Sequence, residues 1–323
     1  GASKGTNSIM FQVFDDRLYL MDPLEAIKNA KPFQLSRVNE LIWLLSKMIR
    51  EKRIANTEFM VSIHDCVQTV SKNTTYRVPK HAEHKPIFSI VGCNFSDNIP
   101  IPMWEGDDER GGGYFSWNEK IDKMESDADI PWEKKEPAAV FRGGARYSSF
   151  FEDRDPTPET CSASSRMKLL GLASAHPEKL DVSLGGKCSE EHYSLSRLSS
   201  RELNNYRSSV YLEGNCFWAD RLNMQLFGSA VILKQETPCG QFYEPLLQPD
   251  VHYLPLDYFL DDAVRQIDKA NDNQDVAKAI VNNANAFARS FLSLEGIMIY
   301  MEELLKAYTE LLIVEKIQLE NSA

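Results

Sequence analysis

The strongest constraint on the fold is a recurring order in which a helical stripe is followed by a short, wholly apolar run. Val38, Leu41, Ile42, Leu45, Met48 and Ile49 share one face of a 3.6-residue period, which predicts an amphipathic helix over residues 36–53. Ser36 is placed to cap that helix, and Glu40 sits near its first turn. Phe59-Met60-Val61-Ser62-Ile63 then reads as a buried strand that runs into His64-Asp65, and Ile87 to Val91 is another strand candidate. Upstream, residues 9–20 read as a strand pair around Asp15-Asp16. Helix followed by buried strand, repeated, is the signature of an α/β fold.

Residues 94–137 interrupt that order. They hold Pro100, Pro102, Gly106, Gly111-Gly112-Gly113, Pro131 and Pro137, interleaved with Trp104, Tyr114, Phe115, Trp117 and Trp132. This predicts a long loop region rich in aromatics and glycine, and loops of that length are usually functional. Trp104, Tyr114 and Trp117 suit either stacking on a sugar or base or filling a gap between domains. The α/β order resumes at Ala138-Ala139-Val140-Phe141, a strand that leads into Arg142-Gly143-Gly144. A helix is expected over 164–175 and a strand over 208–212 leading into Glu213-Gly214-Asn215. A helix near 218–227 and a strand over 230–234 follow, and from Asp261 onward the chain is helical with Gly296 as an interruption.

The chemistry suggested by these junctions is anion binding. A glycine after a strand lets backbone N–H groups and a helix N-terminus approach a phosphate, and open α/β sheets bind ligands at the carboxyl ends of their strands. Arg142, Arg146, Arg154, Arg166 and Arg221 gather around the two strand–glycine junctions. That is dense for a chain with 36 basic and 47 acidic residues and a net charge of −11, a balance that argues against general nucleic-acid binding. A diphosphate clamp is one reading; ordinary turn glycines beside surface arginines is the other, because neither a GxGxxG nor a Walker pattern is present. Asp65 is placed either as a general base at a strand end or as a turn residue. Asp127-Ala128-Asp129 and Asp153-Arg154-Asp155 have the spacing of a metal-binding pair, or belong to solvated loops.

Other features bear on compartment. The six cysteines, Cys66, Cys93, Cys161, Cys188, Cys216 and Cys239, form no CxxC pair, so no zinc site is expected. Asn73-Thr74-Thr75 and Asn94-Phe95-Ser96 are N-glycosylation sequons and lean toward a secretory compartment, with a cytosolic protein holding buried thiols as the other reading. No apolar stretch reaches the ~18–20 residues of a membrane span. Gly1-Ala2-Ser3 reads as an expression scar, so a signal or anchor is expected to be missing.

Four blocks, taken in order, resemble the Rumi / capsule-associated-protein family of glycosyltransferases, which includes the protein O-glucosyltransferases. They are Phe59–Cys66, Trp132–Gly144, Ser165–Leu172 and Tyr211–Leu254. The last contains Gly214, Asp220-Arg221, Gly228-Ser229-Ala230-Val231 and a run from Gln248 that ends in His252-Tyr253-Leu254-Pro255. The resemblance implies a GT-B fold of two facing Rossmann-like domains with the active site in the cleft. Residues 1–135, joined by a C-terminal helix in 291–323, would be the acceptor side, and residues 136–290 would bind the nucleotide sugar. It implies an inverting, metal-independent transferase that moves glucose or xylose from a UDP-sugar to a hydroxyl of a protein or glycan, in the lumen of the endoplasmic reticulum or Golgi. No cofactor beyond the donor, no nucleic acid and no membrane span enter that scheme.

Carried over residue by residue, the family's base falls on Asp65 and its phosphate loop on Arg142-Gly143-Gly144, with Gly144 where the family usually has serine. The arginine that starts the next helix falls on Arg166, with Arg154 as a competitor. Gly214 opens the second phosphate loop and Arg221 closes it, one residue further along than the family spacing, so Asp220 competes for that column. The sugar-pocket aromatic falls on Trp104. A non-catalytic, lectin-like protein on the same fold is the competing reading.

Overall fold

A computed structural model of the protein describes residues 8–21, 32–67, 87–103, 117–146, 158–188 and 191–312. In chain order these form β1 (Ser8–Phe14), β2 (Arg17–Met21), α1 (Pro32–Arg50), β3 (Thr57–Ser62), β4 (Ile87–Ser89), β5 (Gly92–Cys93), β6 (Asn98–Pro100) and α2 (Trp117–Ala128). Next come β7 (Glu136–Gly144), α3 (Pro158–Ser162), α4 (Ser165–Ala175), β8 (Leu180–Cys188), β9 (Glu191–Tyr193), α5 (Ser200–Leu203), β10 (Tyr206–Tyr211) and α6 (Leu222–Gln225). The chain continues through β11 (Val231–Gln235), β12 (Cys239–Gly240), β13 (Leu254–Leu256), α7 (Ala263–Asp272), α8 (Gln274–Phe291) and α9 (Leu294–Glu310). Two compact units result: β1 to β6 with α1 and α9, and, from Glu119 onward, the rest of α2 with β7 to β13 and α3 to α8.

The first unit is built on a five-stranded mixed sheet in the order β2-β1-β3-β4-β6. β1 and β2 form the hairpin expected around Asp15-Asp16; both aspartates have positive φ (47° and 59°), the backbone of a two-residue turn whose twist matches the flanking strands. Phe11, Phe59 and Phe88 stack across β1, β3 and β4, and Tyr308 of α9 closes the row with its ring 4.9 Å from that of Phe88. Such aromatic pairs add to simple burial because ring edges and faces carry opposite partial charge. α9 thus completes this core from the far end of the chain.

The second unit is built on a six-stranded sheet in the order β13-β11-β10-β7-β8-β9, parallel except for the last strand. Counted by appearance, its parallel strands lie in the order 2-1-3-4-5, so the winding reverses between β7 and β10. Phe141, Leu184, Val210, Leu212, Val231, Leu233 and Leu254 build the core together with Leu169 of α4, Ile267 of α7 and Ile280 of α8. Strands buried on both faces read as near-continuous apolar runs, which is why β11 is buried at all five positions. Cys161 of α3 is disulfide-bonded to Cys188 at the end of β8, and none of the six cysteines is free.

The structure corrects several expected boundaries. α1 begins at Pro32, so Ser36 lies inside it rather than capping it. The region read as loop contains α2, where Trp117 and Met124 are the buried positions of an otherwise charged helix. Its charge hides a seven-residue apolar spacing that only burial selects. α6 is a single turn rather than a helix over 218–227. The break expected at Gly296 falls at Leu292-Ser293, where the Ser293 hydroxyl caps α9 by accepting from the Gly296 N–H at 3.1 Å.

Candidate functional site

In an open α/β sheet the ligand crevice lies beyond the carboxyl ends of the strands where the winding reverses. In the second unit those ends are Arg142-Gly143-Gly144 of β7 and Glu213-Gly214 just after β10. Three arginines converge there. Arg166, buried in the first turn of α4, donates from Nε to the Glu213 carbonyl at 2.9 Å and from Nη1 to the Gly144 carbonyl at 2.8 Å. It therefore ties the end of β7 to the end of β10. Arg221, just before α6, donates from Nη1 to the Arg142 carbonyl. Both guanidiniums lie over the Phe141 ring, with Cζ at 5.5 Å (Arg166) and 4.7 Å (Arg221) from its centroid. Arg146 is exposed beside them, its Nη1 on the Ala145 carbonyl at 3.0 Å.

The glycines of the two junctions make room for these side chains. A Cβ on Gly143 would lie 3.2 Å from Arg221 Nη2, one on Gly144 2.7 Å from Arg146 Nη1, and one on Gly214 3.2 Å from Arg166 Nη2. A serine at Gly144 would push the Arg146 fork aside. Between Gly214 and Arg221 the chain makes a tight loop: the Gly214 N–H donates to the Trp218 carbonyl at 2.7 Å, and Cys216 and Phe217 both adopt left-handed φ (60° and 65°). Such strain in non-glycine residues clusters where function holds a backbone in place. Asp220 turns to α6, where its Oδ1 accepts from Asn223 Nδ2 at 3.3 Å.

Burial first, then the neighbouring Arg221 and Arg146, push Arg166 below the usual guanidinium value, against the pull of Glu213 and Tyr211. Burial does the same to Arg221, opposed by Tyr211 and reinforced by Arg146. Like charges are held together with little water, and an anion placed among them relieves both penalties. Chemically, such an arrangement can receive an anion such as a diphosphate.

Arg142 is set apart from this cluster. Residues alternate across a strand, so it faces away from Phe141 and Gly143. Its Nη2 pairs with Asp181 Oδ2 of β8 at 2.8 Å and its Nη1 donates to the Asp181 carbonyl at 2.9 Å. The Tyr206 hydroxyl donates to the same Asp181 Oδ2. What Arg142 brings to the crevice is its carbonyl, which seats Arg221.

Glu213 is the acid of this crevice and was not singled out as a site residue by sequence. It is 4% exposed, and its Oε1 accepts from Tyr258 Oη at 3.0 Å and Ser165 Oγ at 3.3 Å. Burial raises it to about 7, with Tyr258, Ser165 and Arg166 pulling the other way. A carboxyl raised on folding binds its proton more tightly in the folded state. Stability is therefore lost as pH rises from the ordinary value of 4.5 through about 7. Thermal melts should show Glu213→Gln gaining stability over wild type by on the order of 2–3 kcal/mol at pH 8 and nothing at pH 4. A difference independent of pH would show that this carboxyl does not titrate as its burial requires.

Asp65 belongs to the first unit, three residues beyond the end of β3. Its Oδ1 pairs at 2.8 Å with Nη2 of Arg37 on α1, a fully buried side chain, while a quarter of the Asp65 side chain remains exposed. Arg37 Nη1 also donates to the Ile63 carbonyl at 3.1 Å, so one guanidinium fixes both the strand exit and the carboxylate. Arg37 went unremarked in the sequence, although it stands four residues before Leu41 and seven before Leu44, on the apolar stripe of α1. An arginine on such a stripe needs a buried partner.

Trp104, Arg154, Asp153 and Asp155 lie outside the described residues. Asp127 Oδ2 pairs with Lys123 Nζ at 2.8 Å. Among the described residues no group of three or more His, Cys, Asp or Glu is gathered as a metal site, and no helix is long and apolar enough to cross a membrane.

Comparison with known proteins matches this sequence to one family. The family model described as glycosyl transferase family 90 covers residues 2–323. Protein O-glucosyltransferase 2 of Danio rerio is 25% identical over 273 residues, 83% of this chain and 50% of that protein. Protein O-glucosyltransferase 1 of Homo sapiens is 24% identical over 282 residues, 80% of this chain and 64% of that protein. Protein O-glucosyltransferase 3 of Homo sapiens is 26% identical over 230 residues, 70% of this chain and 42% of that protein. The chain thus spans between 42% and 64% of the length of these relatives. The resemblance carried by the four sequence blocks holds across the whole chain: it belongs to glycosyl transferase family 90.

Proposed function

We propose that the chain is an inverting glycosyltransferase that moves glucose or xylose from a UDP-sugar to a hydroxyl of a protein or glycan. The observation that carries this reading is the convergence of Arg146, Arg166 and Arg221 at the reversal point of the second sheet. The reading takes the two units as a GT-B pair, the first supplying the base and the second the donor site. The acceptor oxygen attacks the anomeric carbon from the face opposite UDP. The new C–O bond forms as the bond to the β-phosphate oxygen breaks, and UDP leaves with that electron pair. Asp65 takes the acceptor proton. A diphosphate leaving group needs no proton, only positive charge and donors held ready for it, which the arginines supply.

The disulfide bonding of every cysteine supports a home in an oxidising compartment such as the secretory lumen. The direct test is a donor screen with UDP-glucose, UDP-xylose, UDP-galactose and GDP-mannose, read as released nucleotide. Turnover confined to GDP-mannose, or none with any donor, would overturn the reading. Transfer should also survive EDTA within about twofold, since arginines stand where a metal would otherwise neutralise the diphosphate. Loss of activity with EDTA and its return with manganese would move the chemistry to an acidic pair instead.

A further inference from the structure

The reading above uses the arginines and leaves one buried group at the same crevice without a task. Glu213 is the second residue after β10, and its backbone carbonyl holds Arg166 Nε. Its side chain sits in a closed polar knot. Ser165, the residue before Arg166, donates to the carboxylate, and the Tyr258 hydroxyl donates to the same oxygen. Gln235 at the end of β11 locks the knot: its Oε1 accepts from the Glu213 N–H at 3.0 Å, and its Nε2 donates to Ser165 Oγ at 2.6 Å and to the Tyr258 carbonyl at 2.7 Å. The N-terminus of α4 and the loop after β13 thus meet on the Glu213 carboxyl group, and the end of β11 holds the backbone N–H of the same residue. The second carboxyl oxygen, Oε2, is buried with no hydrogen-bond partner among the described residues.

We propose that Glu213 is a positioning residue for the donor diphosphate: its side chain fixes the start of α4, and so Arg166, and its ionisation sets the net charge of the arginine cluster. A knot built only to join strands would be served equally well by a neutral amide. A carboxyl here instead places a removable negative charge behind the three cations that receive the anion. The charged and titratable groups that face it are few. Arg166 comes from α4 and Tyr258 from the loop after β13, while the β11 contact, Gln235, and the other α4 contact, Ser165, are neutral. Arg146 and Arg221 complete the cluster through Arg166. The carboxyl's partly relieved burial places its proton loss near neutrality. Below that point the cluster presents its full positive charge; above it one unit is cancelled and the donor is held less tightly.

This inference rests on the donor reading, and its test separates the two. Affinity for UDP-glucose, and in parallel UDP-xylose, is measured by calorimetry at pH 6, 7 and 8 in low salt. A UDP-sugar is the right probe because its diphosphate carries no terminal phosphate to titrate in this range. Wild type should bind about threefold to tenfold more weakly at pH 8 than at pH 6, the scale expected for one partly screened charge several ångströms from the ligand. Glu213→Gln keeps the shape and the hydrogen-bonding oxygen of the knot. It should bind at pH 8 as wild type does at pH 6, with a flat profile between. A purely structural role would instead weaken binding at every pH and leave the slope in place. Binding by both proteins with the same pH slope overturns the inference alone. Failure of wild type to bind either donor at any pH removes the donor reading and the inference with it.

Discussion

Asp65→Asn should lower sugar transfer by about 10²–10⁴-fold while UDP affinity stays within about twofold. That loss equals roughly 3–5.5 kcal/mol of transition-state stabilisation, more than any single surface contact provides. The amide matches the carboxylate in shape but has no basic oxygen to take the acceptor proton. The side chain has a second role that must be kept apart from the first. Arg37 is fully buried and spends part of its charge on Asp65 Oδ1 at 2.8 Å. Removing one member of a buried pair outright costs about 3–5 kcal/mol. Asparagine retains an oxygen that accepts from Arg37, so the stability loss should be smaller, and a thermal melt reads it independently of rate. Asp65→Ala is the harsher control, since it takes the carboxylate away from Arg37 Nη2 altogether. A folded Asp65→Asn variant that turns over at the wild-type rate would assign the base elsewhere.

How far the sequence alone reached depended on the range of the interaction concerned. The β3 strand was legible because five consecutive residues, Phe59 to Ile63, are apolar or small, and α4 was expected over 164–175, with Ser164 proving to be its cap rather than its first residue. The Arg142-Gly143-Gly144 junction falls at the end of a strand as expected. The side chains that crowd its glycines, Phe141 and Arg221 at Gly143 and Arg146 at Gly144, could not be read as a set, because Arg221 stands 78 positions beyond Gly143. β8 was missed altogether: Leu180–Cys188 carries Gly185-Gly186-Lys187 and no clean alternation, and it is a strand because β7 pairs with it through six residues. Arg37 and Glu213 were missed for a common reason. Each is ordinary by residue type and spacing, and becomes informative only once burial makes its charge expensive.

Arg221→Ala should weaken UDP binding by about 1.5–3 kcal/mol, roughly tenfold to a hundredfold, the loss expected for a hydrogen bond to a charged group. Arg221 is the cleaner probe of the cluster. Arg166 also holds the carbonyls of Gly144 and Glu213, so its removal would disturb the strand ends themselves. Arg221 holds the Arg142 carbonyl and otherwise rests on the Phe141 ring, and a truncated side chain there leaves the sheet in place. One effect opposes the loss: without Arg221, Arg166 is freed from part of the repulsion that disfavours its charge. The lower end of the range is therefore the firmer expectation. Arg221→Lys should recover only part of the affinity, because a compact ammonium cannot present the planar fork or the ring-stacking face of a guanidinium. Asp220→Ala should change UDP affinity by less than about twofold, since its carboxylate serves the turn into α6 through Asn223. Calorimetric titration of UDP into the three variants decides the matter. If Arg221→Ala binds as wild type does while Asp220→Ala does not, the register of the second junction shifts by one residue and the diphosphate is held without the Arg221 fork.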